Sequence, residues 1–242
     1  MSFIRQKAKT YLPHSVIEVL RSTVDRAAVI WREVNPLDSA EVFGRKIASG
    51  QWSGQESLSG HGSDLAATAM VRQRLPQLLS AYKVRTLLDV PCGDMLWIAQ
   101  TPIEVDRYIG ADVVPSLIAA NKERYPDAGR EFRILDITKD TIPRVDLILC
   151  RDCLFHLSFR QALAALRQFK ASGSKYLLTT TYPGLLESNK NIVTGDWRPI
   201  DLQLPPFAFP DPVELLNEAC PIVPPDFREK SLGLWRIDSS SF

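Results

Sequence analysis

The sequence predicts an α/β fold with a mostly parallel sheet, and three observations support this class. Five short apolar runs rich in β-branched residues follow one another between residues 84 and 181. Segments with helical periodicity lie between them, and a strand, a helix and a further strand in succession form a parallel unit. Hydrophobic residues make up 45% and charged residues 24% of the 242 positions, which is typical of an ordinary globular chain.

The strands and helices are assigned in chain order. The predicted strands are VRTLLDV (84–90), RYIGADV (107–113), EFRILDI (131–137), VDLILC (145–150) and KYLLTTT (175–181). Pro115 opens a predicted helix over 115–125, and Ser158 is the expected N-cap of a second helix over 158–170. Towards the C-terminus we expect a helix over 211–219, then an antiparallel hairpin formed by PIVPPDF (221–227) and LGLWRID (232–238). The Pro-rich stretch before them is expected to pack Phe207 and Phe209 against the sheet.

The first 49 residues are predicted to be a helical extension to the domain formed by residues 50–242. Residues 15–34 have amphipathic helical periodicity, and Ser15 and Glu18 have the spacing of a capping box. Residues 50–64, GQWSGQESLSGHGSD, contain four glycines and four serines around one tryptophan. This composition predicts an irregular segment, either a solvated linker or a hinge or lid over a site.

Composition excludes some classes of function and favours others. The chain has 29 Lys and Arg against 28 Asp and Glu, so its net charge of +1 disfavours a dedicated nucleic-acid binder. The sequence has no long apolar run, so we predict that it has no membrane span and no secretory signal. We therefore expect a cytoplasmic protein. In that compartment the four cysteines (Cys92, Cys150, Cys153 and Cys220) are expected to be thiols.

Acidic residues stand at the ends of three successive predicted strands. Asp89, Asp112 and Asp136 hold these positions, and ligands of open α/β sheets bind at the carboxyl ends of the strands. Asp112 is placed to accept hydrogen bonds from a ribose diol, and Asp136 with Ile137 to meet an adenine ring. Only Gly93 follows the first strand closely, so the three-glycine signature of dinucleotide binding is missing.

Four of these runs together carry a family resemblance. LLDVPCGD, YIGADVV, ILDIT and VDLILCRDCLFHLS resemble the ordered motifs of class I S-adenosylmethionine-dependent methyltransferases over residues 85–180. SGHGSD upstream, with TTTYPG and TGDWRPIDLQLPPFAFPDP downstream, resembles a bacterial group of such enzymes whose substrates are largely unassigned. The second resemblance extends over nearly the whole chain beyond residue 45.

The resemblance implies a Rossmann-like class I methyltransferase fold: a seven-stranded, mostly parallel sheet of order 3214576 whose last strand is antiparallel. It also implies S-adenosyl-L-methionine as the cofactor. The expected cofactor-binding residues are Asp89, Pro91, Gly93, Asp94, Asp112, Val113, Asp136, Ile137, Arg151 and Ser63.

The sequence departs from the family pattern after the first strand. Pro91, Gly93 and Met95 stand where the common pattern has three glycines, so other groups must hold the carboxylate of the cofactor. We expect these groups to come from the Gly/Ser-rich segment. The candidates are Ser59, Gly60, Gly62 and Ser63, with Arg72 as a possible charge partner.

The segment after the fourth strand, CRDCLFHLS, holds the expected catalytic residues. His156 lies four residues after Asp152, so the carboxylate is predicted to orient the imidazole as a general base. The alternative is a histidine that packs at a helix start with its proton on a backbone carbonyl. Cys150, Cys153 and Cys92 with His156 could be drawn as a zinc site, but one CxxC pair is weak evidence, and we predict no metal.

The loop after the fifth strand is the expected acceptor wall. Its candidate substrate-binding residues are Tyr182, Trp197, Arg198 and Asp201, with Asn191 and Asp196 beside them. Such residues favour a polar acceptor, a small molecule or a glycan. We therefore predict a methyltransferase that O-methylates a small polar or sugar-containing acceptor. The rival interpretations are a non-catalytic scaffold with this fold and an NAD-binding oxidoreductase, and the oligomeric state stays open.

Overall fold

One mixed sheet runs through the part of the chain that the structure describes. The computed structural model describes residues 38–52, 54–126, 129–220 and 228–238. The strands are β1 (Thr86–Asp89), β2 (Arg107–Asp112), β3 (Arg130–Ile134), β4 (Leu147–Cys150), β5 (Tyr176–Thr181), β6 (Glu214–Asn217) and β7 (Ser231–Arg236). Their order is β3-β2-β1-β4-β5-β7-β6, and β7 runs in the direction opposite to the other six strands. The predicted α/β class and the sheet order 3214576 are confirmed.

Four α-helices are described, of which the last two connect parallel strands. They are α1 (Ser39–Ala48), α2 (Ala69–Ala81), α3 (Pro115–Arg124) and α4 (Phe159–Ala171). The two predicted crossover helices are confirmed as α3 and α4, and α4 begins where the Ser158 hydroxyl accepts a hydrogen bond from the Gln161 amide at 3.4 Å. The predicted helix over 15–34 lies outside the described residues. The boundary near residue 49 stays a prediction.

The helix predicted over 211–219 is wrong, because this segment forms the edge strand β6. Its burial alternates with a period of two: Leu215 is 45% exposed, whereas Leu216 is 4% exposed. Leu216 pairs with Leu232 of β7 in an antiparallel ladder. The strand predicted over 232–238 is confirmed as β7, but the predicted hairpin partner is wrong, because β7 pairs with β6 and β5. Residues 221–227 lie outside the described part.

Two apolar clusters fill the two faces of the sheet. Helix α4 contributes buried residues to one cluster and helix α2 to the other. The Pro-rich stretch packs as predicted, since Phe207 and Phe209 are both buried and the Phe209 ring lies 5.2 Å from that of Trp235. Side chains from several strands meet at the carboxyl-terminal edge of β1 to β5, where ligands of open α/β sheets bind.

Two glycines should respond to alanine in opposite ways. A Cβ at Gly233 would overlap the buried indole of Trp235, so we expect Gly233→Ala to lower the free energy of unfolding by about 1–3 kcal/mol. A Cβ at Gly44 in α1 would meet no described atom within 4 Å, so Gly44→Ala should raise it by about 0.5–1 kcal/mol. Urea unfolding measures both changes. Equal transition midpoints for the two variants would contradict this packing.

Candidate active site

A cavity of about 450 Å³ opens at the carboxyl ends of the parallel strands. This volume lies in the range of small-molecule sites. All ten residues predicted to bind the cofactor line it: Asp89, Pro91, Gly93, Asp94, Asp112, Val113, Asp136, Ile137, Arg151 and Ser63. The strand-end acids converge because parallel strands place their carboxyl ends at one edge of the sheet.

Two of the acids carry buried carboxyl groups with little compensation. The Asp89 carboxylate accepts a hydrogen bond from the Tyr108 hydroxyl at 2.6 Å, and that of Asp112 accepts from the amides of Gly93 at 3.1 Å and Val114 at 2.9 Å. Burial raises the pKa of Asp89 to about 7 and that of Asp112 to about 6. Such a pair of buried carboxyls is suited to a positively charged group.

Asp136 has more local partners than the other two acids. Its carboxylate accepts from the Thr138 amide at 2.9 Å and the Thr138 hydroxyl at 2.7 Å, and Lys139 lies 3.3 Å from its second oxygen. These contacts fix its orientation in the wall beside Ile137. Asp136 is therefore held in place by its own turn.

The Gly/Ser-rich residues Gly54–Asp64, here called the clasp, are folded around a carboxylate. Asp64 accepts hydrogen bonds from the backbone amides of Gln55, Glu56 and Ser57 at 2.9–3.0 Å. Burial opposes ionisation of Asp64, but these bonds outweigh it and lower its pKa. The interpretation of this segment as a solvated linker is therefore wrong.

Asp94 and Arg151 attach the clasp to the sheet edge. The buried Asp94 carboxylate accepts from the Ser57 hydroxyl at 3.0 Å and the Leu58 amide at 2.7 Å. At the other end, the Arg151 guanidinium donates to the Gly62 carbonyl at 2.9 Å. The clasp consequently forms one wall of the cavity.

The glycine after β1 is required by the clasp. Gly93 has a φ of +55°, and a Cβ there would overlap the Ser59 side chain, whose hydroxyl accepts from the Asp94 amide at 3.0 Å. All four predicted clasp residues, Ser59, Gly60, Gly62 and Ser63, line the cavity. The described lining does not include Arg72, which donates to the Leu65 carbonyl at 3.1 Å.

Four charged side chains form a cluster beside the clasp, and three of them, Arg151, Glu218 and Lys230, are buried. Arg151 donates to Glu218 at 2.6 Å, and Lys230 donates to Asp152 at 2.7 Å and lies 3.2 Å from Glu218. Asp152 also accepts from the Thr180 hydroxyl at 3.1 Å. Burial would raise the pKa of Asp152, but the charges of Arg151 and Lys230 outweigh it and keep the pKa below its ordinary value. Sequence reasoning missed Glu218 and Lys230.

His156 is oriented by a backbone carbonyl. Its Nδ1 lies 2.8 Å from the Asp196 carbonyl oxygen, which can only accept, so Nδ1 carries the proton and Nε2 is an acceptor. The oxygens of Asp152 bond to the charge cluster, so the expected bond from Asp152 to His156 is replaced by this one. Burial lowers the pKa of His156 to about 4, and the ring is neutral at pH 7.

Six rings in continuous contact form a further part of the cavity lining, here called the aromatic wall. Its members are Phe43, Trp52, Phe155, His156, Tyr182 and Trp197, and all of them line the cavity. The His156 ring lies 4.6 Å from those of Trp52 and Phe155, and Phe43 lies 5.4 Å from Trp52. Sequence reasoning missed Phe43 and Trp52. Trp52 could have been found from the sequence, because it is a lone tryptophan in a segment otherwise poor in apolar residues.

Two of the four predicted substrate-binding residues do not line the cavity in the described structure. The buried Arg198 donates to the Leu154 carbonyl at 3.3 Å, and burial lowers its pKa to about 10. Asp201 accepts from the amides of Gly184 and Gln203, both at 3.0 Å. Both residues therefore organise the loop, and Tyr182 and Trp197 are left at the cavity.

Two further features bear on the function classes considered. Within the described ranges, no three His, Cys, Asp or Glu side chains are grouped so as to hold a metal ion, and the four cysteines are free. None of the helices found in the same ranges is long and apolar enough to cross a bilayer.

Comparison with family models and with curated proteins gave no match. Among solved structures, the chain is similar to the N-methyltransferase NodS from Bradyrhizobium japonicum in complex with S-adenosyl-L-homocysteine, at 17% identity over 60% of this chain and 74% of that one, with a TM-score of 0.48. A second NodS structure is 19% identical over 71% of this chain and 98% of that one, with a TM-score of 0.47. An S-adenosylmethionine-dependent methyltransferase from Clostridium acetobutylicum is 14% identical over 52% of this chain and 56% of that one, with a TM-score of 0.41. These likenesses concern the fold.

Removing the Asp94 carboxylate should release the clasp. In Asp94→Ala the Ser57 hydroxyl, on a residue that is 1% exposed, loses its acceptor, so we expect the free energy of unfolding to fall by about 1–3 kcal/mol. Amide hydrogen exchange should accelerate selectively over residues 55–63. Asp106→Ala, which removes a surface ion pair with Arg85, is the matched control and should change neither quantity appreciably. Unchanged exchange in Asp94→Ala would refute the role of this carboxylate.

Proposed function

We propose that this chain is a class I S-adenosylmethionine-dependent methyltransferase that methylates a hydroxyl group of a small-molecule acceptor. The observation that supports this most is the convergence of three buried strand-end acids, Asp89, Asp112 and Asp136, on one cavity. When bound, S-adenosylmethionine supplies a methyl group on a positively charged sulfur. The buried carboxyls of Asp89 and Asp112, which have no described salt-bridge cation, are suited to such a positive charge.

In this proposal the donor half of the cavity is formed by the strand ends and the clasp. The Asp112 carboxylate, held by two amides, accepts hydrogen bonds from the ribose hydroxyls, and Asp136 with Ile137 contacts the adenine. Asp89 faces the cationic methionine end. Ser63 and its neighbours in the clasp, together with Arg151, supply donors for the carboxylate in place of a glycine-rich turn.

His156 is the proposed catalytic base. Because Nδ1 donates to the Asp196 carbonyl, Nε2 accepts the proton of the acceptor hydroxyl. Asp152 takes a positioning role through Lys230 and Arg151 instead of the direct bond that the sequence suggested. The methyl transfer itself needs alignment and exclusion of water, to which the clasp and the aromatic wall contribute.

The sugar-containing acceptor loses most of its sequence support. It depended on Trp197 as a ring that could stack on a sugar and on the polar residues of the loop after β5. Trp197 lines the cavity, whereas Arg198 and Asp201 are not among its described lining residues. A cytoplasmic location and the lack of a nucleic-acid partner remain predictions of the sequence.

Donor binding tests the proposal directly. We expect calorimetry to detect S-adenosylmethionine and its demethylated product, and Asp112→Asn to weaken both by at least about tenfold, because an amide has a single acceptor oxygen and no charge. Asp106→Asn, on the surface, is the isosteric control. Binding of NAD alone would support the oxidoreductase instead, and binding without transfer to any acceptor would support the scaffold.

Donor affinity should rise with pH between 5.5 and 7.5. The ionised forms of Asp89 and Asp112 attract the cationic donor, and their pKa values are raised to about 7 and about 6, so protonation below these values removes the attraction. One pH unit below such a pKa costs up to about tenfold in affinity per group. Calorimetry across this range measures the slope, and Asp89→Asn should reduce it. A flat profile in the unaltered protein would contradict the assignment of these carboxyls.

A further inference from the structure

The part of the cavity remote from the strand-end acids is dominated by rings. The aromatic wall forms an uninterrupted series of contacts, in which Phe155 lies 6.3 Å from Tyr182 and 6.2 Å from Trp197, and Tyr182 lies 6.5 Å from Trp197. Trp197 is 44% exposed, although Tyr182 behind it is 1% exposed. A ring surface that is partly exposed at a cavity and rigidly supported from behind is suited to packing against a flat apolar ligand.

The charge cluster beside the clasp is already matched internally, and Arg198 and Lys46, whose Nζ lies 5.2 Å from the centre of the Trp52 ring, are further cations near His156. The two cations Arg151 and Lys230 face the two anions Asp152 and Glu218 at 2.6–3.3 Å. The cluster thus contributes no net charge for an ionic acceptor. A sugar would need several hydrogen-bond partners for its hydroxyls, and the carboxylate of Asp201, proposed from the sequence as such a partner, bonds elsewhere.

The base at this position also restricts the acceptor. With its pKa lowered to about 4, His156 is a weak proton acceptor. A phenol, with an ordinary pKa of about 10, lies about six units above it, whereas a saturated alcohol close to water at about 15.7 lies about twelve units above it. Proton transfer to Nε2 during the reaction is far less unfavourable for a hydroxyl attached to an aromatic ring.

We propose that the acceptor is a planar aromatic compound with a ring hydroxyl, packed against Trp197 and the aromatic wall with its hydroxyl directed at Nε2 of His156. This inference rests on the proposed methyltransferase function. A lone pair of the hydroxyl oxygen forms the new bond to the methyl carbon as the carbon–sulfur bond breaks. The sulfur keeps that electron pair as a neutral thioether, and the hydroxyl proton passes to His156 and then to solvent.

The test separates acceptor binding from donor binding. Protein saturated with S-adenosyl-L-homocysteine is titrated with 2-naphthol, methyl α-glucoside or ethanolamine in the calorimeter, and each probe is then incubated with methyl-labelled S-adenosylmethionine. We expect 2-naphthol to bind and to receive the label, with little response from the other two. Trp197→Ala should weaken 2-naphthol binding about tenfold or more, and Trp197→Phe much less, because a ring remains.

Controls distinguish the possible failures. Donor affinity should be unchanged in Trp197→Ala, which shows that the variant is folded, and His156→Ala should lower the rate of label transfer more than the affinity for 2-naphthol. Labelling of the glucoside or of ethanolamine in preference to 2-naphthol, or failure of the intact protein to bind 2-naphthol, overturns the aromatic acceptor and leaves the methyltransferase proposal standing. Failure to bind S-adenosylmethionine or its demethylated product overturns the proposed function itself.

Discussion

The cavity depends on the attachment of the clasp to the turn after β1. The Asp94 carboxylate accepts hydrogen bonds from the Ser57 hydroxyl and the Leu58 amide, and Gly93, which has no side chain, leaves the space that Ser59 occupies. Because buried polar groups need partners, the clasp and the turn stabilise each other: without Asp94 the Ser57 hydroxyl would lose its acceptor. The same segment reaches Arg151 through the Gly62 carbonyl, so it connects the strand-end acids to the charge cluster. The turn after β1 is thereby held by a segment that comes from earlier in the chain.

Buried charge is treated differently in the two halves of the cavity. Asp89 and Asp112 have hydrogen-bond donors but no described salt-bridge cation, and burial keeps their pKa values high. The pairs around Asp152 are balanced, so their charges stabilise one another where isolated charges would be costly. An incoming cation therefore gains most at the strand ends. A neutral ligand loses least by desolvation on the other side, where rings line the wall.

The elements predicted from the sequence are those that local pattern determines. Strands β1 to β5 follow runs of apolar residues, and the convergence of their acids follows from parallel pairing, so both were accessible without a structure. The edge strand β6 was missed because four residues give little periodicity. The prediction that Asp152 bonds to His156 was wrong for a geometric reason. Asp152 has a φ of +52° and residues 154–156 form a 3₁₀ turn, so a four-residue spacing does not place the two side chains on one helical face. Contacts such as that of Arg151 with Glu218, 67 residues apart, have no local signature.

Asp152 nevertheless keeps an electrostatic link to the base. Its charge raises the pKa of His156 against the larger opposing effect of burial, although its oxygens bond to Lys230 and Thr180. During the proposed reaction positive charge disappears from the sulfur and reappears on the imidazole as the proton arrives. A carboxylate kept ionised by Arg151 and Lys230 stabilises that imidazolium without changing its own protonation state. The carbonyl of Asp196 meanwhile fixes the ring, so orientation and charge stabilisation, which a single Asp often supplies together, are divided here between two residues.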